Sequence, residues 1–176
     1  MVVASRAARL VAVMAFLSTL AARAEVLSSG ATGFVIENTA TVPADPTTTW
    51  EALVNDVGQW WPADHTWFGR SENLHIDARA GGCFCEVDGA RQALHMTIGF
   101  VDPGHLLRML GGLGPLQGMG MYGALDWKLE AAGTGTRITL RYDVNGFAPD
   151  NLEALVPVVD RVQAQQLGGL VRYLTR

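Results

Sequence analysis

Between residues 74 and 144 lies a series of segments in which apolar side chains recur at every second position, and beyond residue 150 the period becomes that of a helix. Leu94/Met96/Ile98/Phe100, Leu125/Trp127/Leu129 and Ile138/Leu140/Tyr142/Val144 each place an apolar face on a strand. Val159, Val162, Leu167, Leu170 and Leu174 then share one arc of a C-terminal helix. A run of half-buried strands ending in one long amphipathic helix leaves few options: the helix has to cover the apolar side of the sheet.

The remaining elements fit that frame. Phe34, Ile36, Ala40 and Val42, with Asn38 among them, predict a strand over 33–42. Thr47 to Val57 reads as a helix with Trp50, Leu53, Val54 and Val57 on one side, broken at Gly58. Short strands are expected at Leu74/Ile76/Ala78, at 83–88 and at Leu106 to Leu110, and the Gly-rich stretch 111–123 as a loop or short turn. The last helix is expected to begin at Asp150, with Glu153 completing a capping-box-like pair, and to kink or restart at Pro157.

Between the first helix and the strands lies an aromatic cluster, Trp60, Trp61, Trp67 and Phe68. Rings of that size are costly to leave wet, so all four are expected to pack against something. Gln163 and Gln166 fall inside the apolar arc of the last helix, where an amide needs a protein partner, water or a polar ligand.

The N-terminus reads as an export signal. Arg6 and Arg9 precede an apolar run, Leu10 to Leu20, too short to span a bilayer, and Ala22-Arg23-Ala24 is a small-residue cleavage site. Residues 1–24 are thus expected to be removed, 25–32 to be a linker, and 33–176 to form one domain in the periplasm or outside the cell. No stable membrane insertion is expected after cleavage. Loss of three arginines leaves 10 basic against 17 acidic side chains, with no basic stripe to suggest a nucleic-acid surface.

Cys83 and Cys85 are the only cysteines. At i and i+2 of an extended strand their Cα atoms would lie about 6.5–7 Å apart, at the limit of a disulfide, so two structural thiols are expected. Cys83-x-Cys85 and Met119-x-Met121, with Met96 and Met109, are ligand types suited to Cu(I). Methionine is also the ordinary adaptable lining of an apolar cavity, and no metal or cofactor is expected. Strand alternation turns His75 and His95 to solvent. His65, beside Asp64, and Glu86, on the face of Phe84, remain as acid–base candidates, with Tyr142 the third. No G-x-S-x-G elbow or phosphate-binding glycine motif is present.

The order β-α-α-β6-α, with the Trp60-Trp61 pair, Gly81-Gly82-Cys83-Phe84-Cys85-Glu86 opening a strand, the Asp102-Pro103 turn and Gly135-Thr136 opening the last strand, resembles the SRPBCC/START-like superfamily. Within it the chain looks most similar to the polyketide cyclase/dehydrase and heat-shock-ATPase-activator-like branch, over roughly residues 33–175. The resemblance implies an α+β helix-grip fold, a seven-stranded curved antiparallel sheet wrapped around the long C-terminal helix, with a cavity between them. It does not fix one function.

The expected function is to hold a small hydrophobic molecule, lipid-like or aromatic, in that cavity. Its expected lining is Trp60, Trp61, Trp67, Phe68, Phe84, Glu86, Met96, Met109, Trp127, Tyr142, Gln163 and Gln166. The alternative is a cyclase, dehydratase or hydrolase using His65, Glu86 or Tyr142. A chaperone-like interaction module ranks last, because the cytosolic ATPase partner that the branch implies is out of reach after export.

Overall fold

The structure is a computed structural model and describes residues 23–147 and 152–176. Its frame is one antiparallel sheet of eight strands in the order β1-β2-β8-β7-β6-β5-β4-β3. These are β1 (Arg23–Gly30), β2 (Gly33–Val42), β3 (Leu74–Ile76), β4 (Cys83–Asp88), β5 (Arg91–Asp102), β6 (Leu106–Gly111), β7 (Tyr122–Ala132) and β8 (Gly135–Asn145). The helices are α1 (Pro46–Asn55), α2 (Val57–Trp60), a single turn α3 (Pro115–Gly118) and α4 (Leu152–Leu174).

One strand more than expected is present. Most of the segment read as a linker, 25–32, belongs to β1, which pairs with β2 from Arg23↔Thr39 to Gly30↔Gly33. Residues 25–30 are exposed, so β1 carries no apolar alternation for a sequence reading to find. It satisfies the main-chain groups that β2 would otherwise present as a bare edge. The expected export signal up to residue 22 and the expected helix start at Asp150 lie outside the described residues. From Leu152, α4 runs without interruption through Pro157.

Helix α1 starts where chemistry directs it. Asp45 accepts from the Thr47 and Thr48 amides, and Pro46 occupies the first turn, where its missing N–H costs nothing. The core is continuous between the inner sheet face, α1, α2 and α4. Trp60 packs edge-on to Trp127 with ring centroids 5.7 Å apart and donates its indole N–H to Ala52 O. Helix α4 meets α2 at Gly169, where a Cβ would stand 2.3 Å from Trp60 O, so the two backbones approach as only glycine permits.

Two β-bulges modulate β5. The register passes from Phe84↔Met96 to Cys85↔Leu94, which makes His95 an extra residue, and a second shift follows between Ile98 and Phe100. The face assignment from simple alternation is therefore wrong at both ends of β5. Leu94 and Phe100, expected inside, are exposed; His95, expected outside, is buried directly before buried Met96. The cysteines also depart from expectation. Cys83 and Cys85 form a disulfide, their Cα atoms 5.5 Å apart and so within bridging range, closer than a fully extended strand would hold them.

Candidate functional site

A cavity of about 290 Å³ opens at one end of α4. One wall is α4 itself, through Leu155, Val158, Val159, Val162, Gln163 and Gln166. The opposite wall is the loop after α2, with Trp61, Asp64, His65, Thr66 and Trp67. Leu113 to Leu116, at the start of α3, close a third side, and His95 is the contribution of the sheet. The Gly-rich stretch makes that third side possible: Gly114, at φ 60°, turns the chain sharply into Pro115.

Of the expected lining, Trp61, Trp67, Gln163 and Gln166 stand on this wall, together with the acid–base candidate His65. Trp60, Phe84, Met96, Met109, Trp127 and Tyr142 do not: the space between sheet and helix centre is filled by their own side chains, packed as core. Phe68 also lies off the wall, its ring covered by the Arg91 guanidinium at 4.8 Å. Trp67, expected to be packed away, is 52% exposed at the cavity mouth.

Tyr142, the third acid–base candidate, is packed in the core and hydrogen-bonded to the main chain. Its hydroxyl donates to Gly111 O and accepts from the Leu113 amide, and burial pushes its pKa up to about 12. It anchors the β6–α3 connection, and hence the third side of the cavity, to β8.

The acid–base pair that the structure does assemble is Glu86 with His95. Glu86 is fully buried behind the cavity wall, where its oxygens accept the Trp67 and Phe68 amides, each at 2.8 Å. His95 Nε2 lies 3.1 Å from the same carboxylate. With Nε2–H donating to Glu86, the lone pair resides on Nδ1. Burial lowers the His95 pKa, and the hydrogen bond and charge of Glu86 oppose that shift in part. Glu86 thus has two tasks: it fixes the loop that carries Trp67, and it orients a histidine on the cavity wall. Sequence reasoning found Glu86 but missed His95, because a bulge leaves no mark in apolar periodicity.

The polar features of the cavity are few. Gln163 and Gln166 are each only 2% exposed, and their Oε1 atoms have no hydrogen-bond partner among the described residues. Buried His65 Nδ1 is likewise unpartnered, while the His65 carbonyl accepts the Trp61 indole N–H at 3.1 Å. Three buried polar atoms without partners, two on the α4 wall and one on the wall opposite, are costly unless something satisfies them.

The sequence profile of the family described as polyketide cyclase/dehydrase and lipid transport matches residues 34–175. The chain belongs to this family. Among solved structures it is similar to DynU16 of the dynemicin biosynthetic locus, at 21% identity and a TM-score of 0.54 over 80% of this chain and 46% of that one. The chain therefore spans about half of the DynU16 polypeptide. CalU16 from Micromonospora echinospora is 17% identical, with a TM-score of 0.54 over 89% of this chain and 84% of its own. The Aha1 dimer of Colwellia psychrerythraea is 14% identical, at 0.54 over 80% and 95%. At these identities the likeness shows the helix-grip fold alone. No curated protein matches the chain in sequence.

Proposed function

We propose that this family member is an exported carrier that holds a small, mainly apolar molecule with a hydroxyl group at one end. The observation that carries the reading is the pair of unpartnered buried amide oxygens, those of Gln163 and Gln166, one turn apart on an otherwise apolar wall of Leu155, Val158, Val159 and Val162. An apolar pocket with one or two convergent polar groups is the usual design of a small-molecule site. A hydroxyl both donates and accepts, so it satisfies an amide in either orientation and His65 Nδ1 in either tautomer. The volume, about 290 Å³, suits a compact molecule such as a single-ring phenol or a short-chain alcohol better than a whole phospholipid.

The test is Gln166→Leu, read with a fluorescent apolar probe carrying a phenolic hydroxyl. Affinity should fall about tenfold, the loss of one hydrogen bond, while stability stays equal or rises as a buried amide becomes apolar. Unchanged affinity in both Gln166→Leu and Gln163→Leu would remove the anchors and with them the reading.

The second reading, an enzyme, rests on the oriented Glu86–His95 pair. A neutral imidazole beside the hydroxyl of a bound molecule is placed to take its proton. Turnover abolished in His95→Gln with probe affinity retained would establish that reading; turnover that survives the substitution would exclude His95 as its base.

A further inference from the structure

On the opposite face of the sheet from the cavity, register brings three ligand-type side chains together. His75 of the edge strand β3 stands directly across from Cys85, and Cys83 lies two residues along β4 on that same outer face. The Nε2 of His75 and the two Sγ atoms all lie within 4.8 Å of one another, with Nε2 3.9 Å from Cys83 Sγ. A three-coordinate ion with metal–S of about 2.3 Å and metal–N of about 2.0 Å, distances typical of thiolate–imidazole sites, would hold its S and N ligands about 3.7–3.8 Å apart. The His75–Cys83 spacing is therefore within a few tenths of an ångström of what a trigonal ion requires, whereas the two sulfurs, bonded to each other, have to part to about 4 Å before an ion fits between them.

We propose that His75, Cys83 and Cys85 form a redox-gated Cu(I) site. Two thiolates and one imidazole in a plane suit the soft d10 ion Cu(I), whereas a structural zinc site takes four protein ligands. The disulfide is the gate. Bridging residues only two apart closes a very short loop, so the bond restricts the unfolded chain little and contributes little stability. His75 is exposed and both cysteines are only half-buried, so ion and reductant can reach them from solvent. Accessible disulfides of this sort belong to the labile, regulatory kind. Opening the gate needs a thiol reductant. Two equivalents of R–SH reduce the Cys83–Cys85 bond to two thiols and are themselves oxidised to R–S–S–R. Binding of Cu(I) then releases both thiol protons. Exchange with a disulfide R–S–S–R, which takes up two electrons and two protons to leave as two R–SH, restores the Cys83–Cys85 bond and expels Cu(I) unchanged in oxidation state. Of the methionines that the sequence offered as further ligands, Met96, Met109 and Met121 take no part, since they are buried in the core.

The decisive experiment titrates reduced and disulfide-bonded wild-type protein, freed of reductant, against the coloured Cu(I)–bicinchoninate complex. The reduced chain should withdraw one Cu(I) and the oxidised chain none. His75→Ala should weaken binding at least about 10–100-fold, the loss that changes in even the outer shell of a metal site produce. All three side chains face away from the cavity, so binding of the apolar probe should be the same in the variant and in the wild type. Reduced protein that leaves Cu(I) with the chelator, equal uptake by the oxidised form, an unaltered affinity in His75→Ala, or uptake of Zn(II) with no Cu(I) would each overturn the proposal. The redox comparison uses wild-type protein throughout, so it stands even where a variant folds poorly.

Discussion

His95 lies where burial and a carboxylate act on its charge in opposite directions, and burial prevails. Its folded pKa is below the ordinary value of 6.5, so the folded state binds fewer protons than the unfolded chain once the pH drops below 6.5. The contribution of the neutral, buried ring is thus complete above about pH 6.5, declines as the pH falls toward the folded pKa, and is constant again below it. Stabilities of wild type and His95→Gln from urea melts should diverge as the pH falls below about 6.5, the wild type losing stability that the variant keeps, at no more than about 1.4 kcal/mol per pH unit for one proton. Parallel curves would show that His95 titrates alike in both states. The same residue marks the limit of sequence reading at this scale. Gln163 and Gln166 were legible because α4 keeps a strict helical period, so their place on the apolar arc follows from counting. His95 was not, because its direction depends on one unpaired residue in β5.

At the scale of elements, strands with one buried face could be read and strands without one could not. β2, β7 and β8 alternate cleanly and carry their register in the sequence; β1, exposed throughout residues 25–30, does not. The cavity wall shows the same divide. Its helical half follows from periodicity, whereas the loop 61–67 and the turn 113–116 are placed by tertiary contacts, the Glu86 and Tyr142 hydrogen bonds above all. The contact between α2 and α4 supports a prediction about packing. Gly169→Ala would put a methyl group 2.3 Å from Trp60 O, and neither backbone can yield without moving its helix. The substitution should cost about 1–3 kcal/mol despite the higher helix propensity of alanine, measured as a lower thermal midpoint. It should also loosen the cavity, because Gln166 sits less than one turn before Gly169. An unchanged midpoint would mean that α4 slides without cost.

For the molecule as a whole, the proposed export bears on the architecture at β1. Cleavage after Ala24 would remove Arg23 and Ala24 from the strand but leave Glu25 to Gly30 paired with β2, so the sheet keeps eight strands. Exported protein should begin at Glu25 by N-terminal sequencing, and recovery of the chain from the cytosol with Met1 intact would overturn the export reading. No helix among the described residues is long and apolar enough to cross a membrane. The bulge at His95 has a different consequence, one that concerns insertion and deletion rather than substitution. Without that residue, β5 would run Leu94 outward and Met96 inward, the phase of an ordinary strand already matched to Cys85 and Phe84. The ladder would close over the gap, and only the imidazole would be gone from the cavity. The sheet is thus complete in a chain one residue shorter, and the extra residue serves the cavity instead of the scaffold. Length, and not only composition, is then a variable by which such a fold can acquire or lose a reactive group while its core stays in phase.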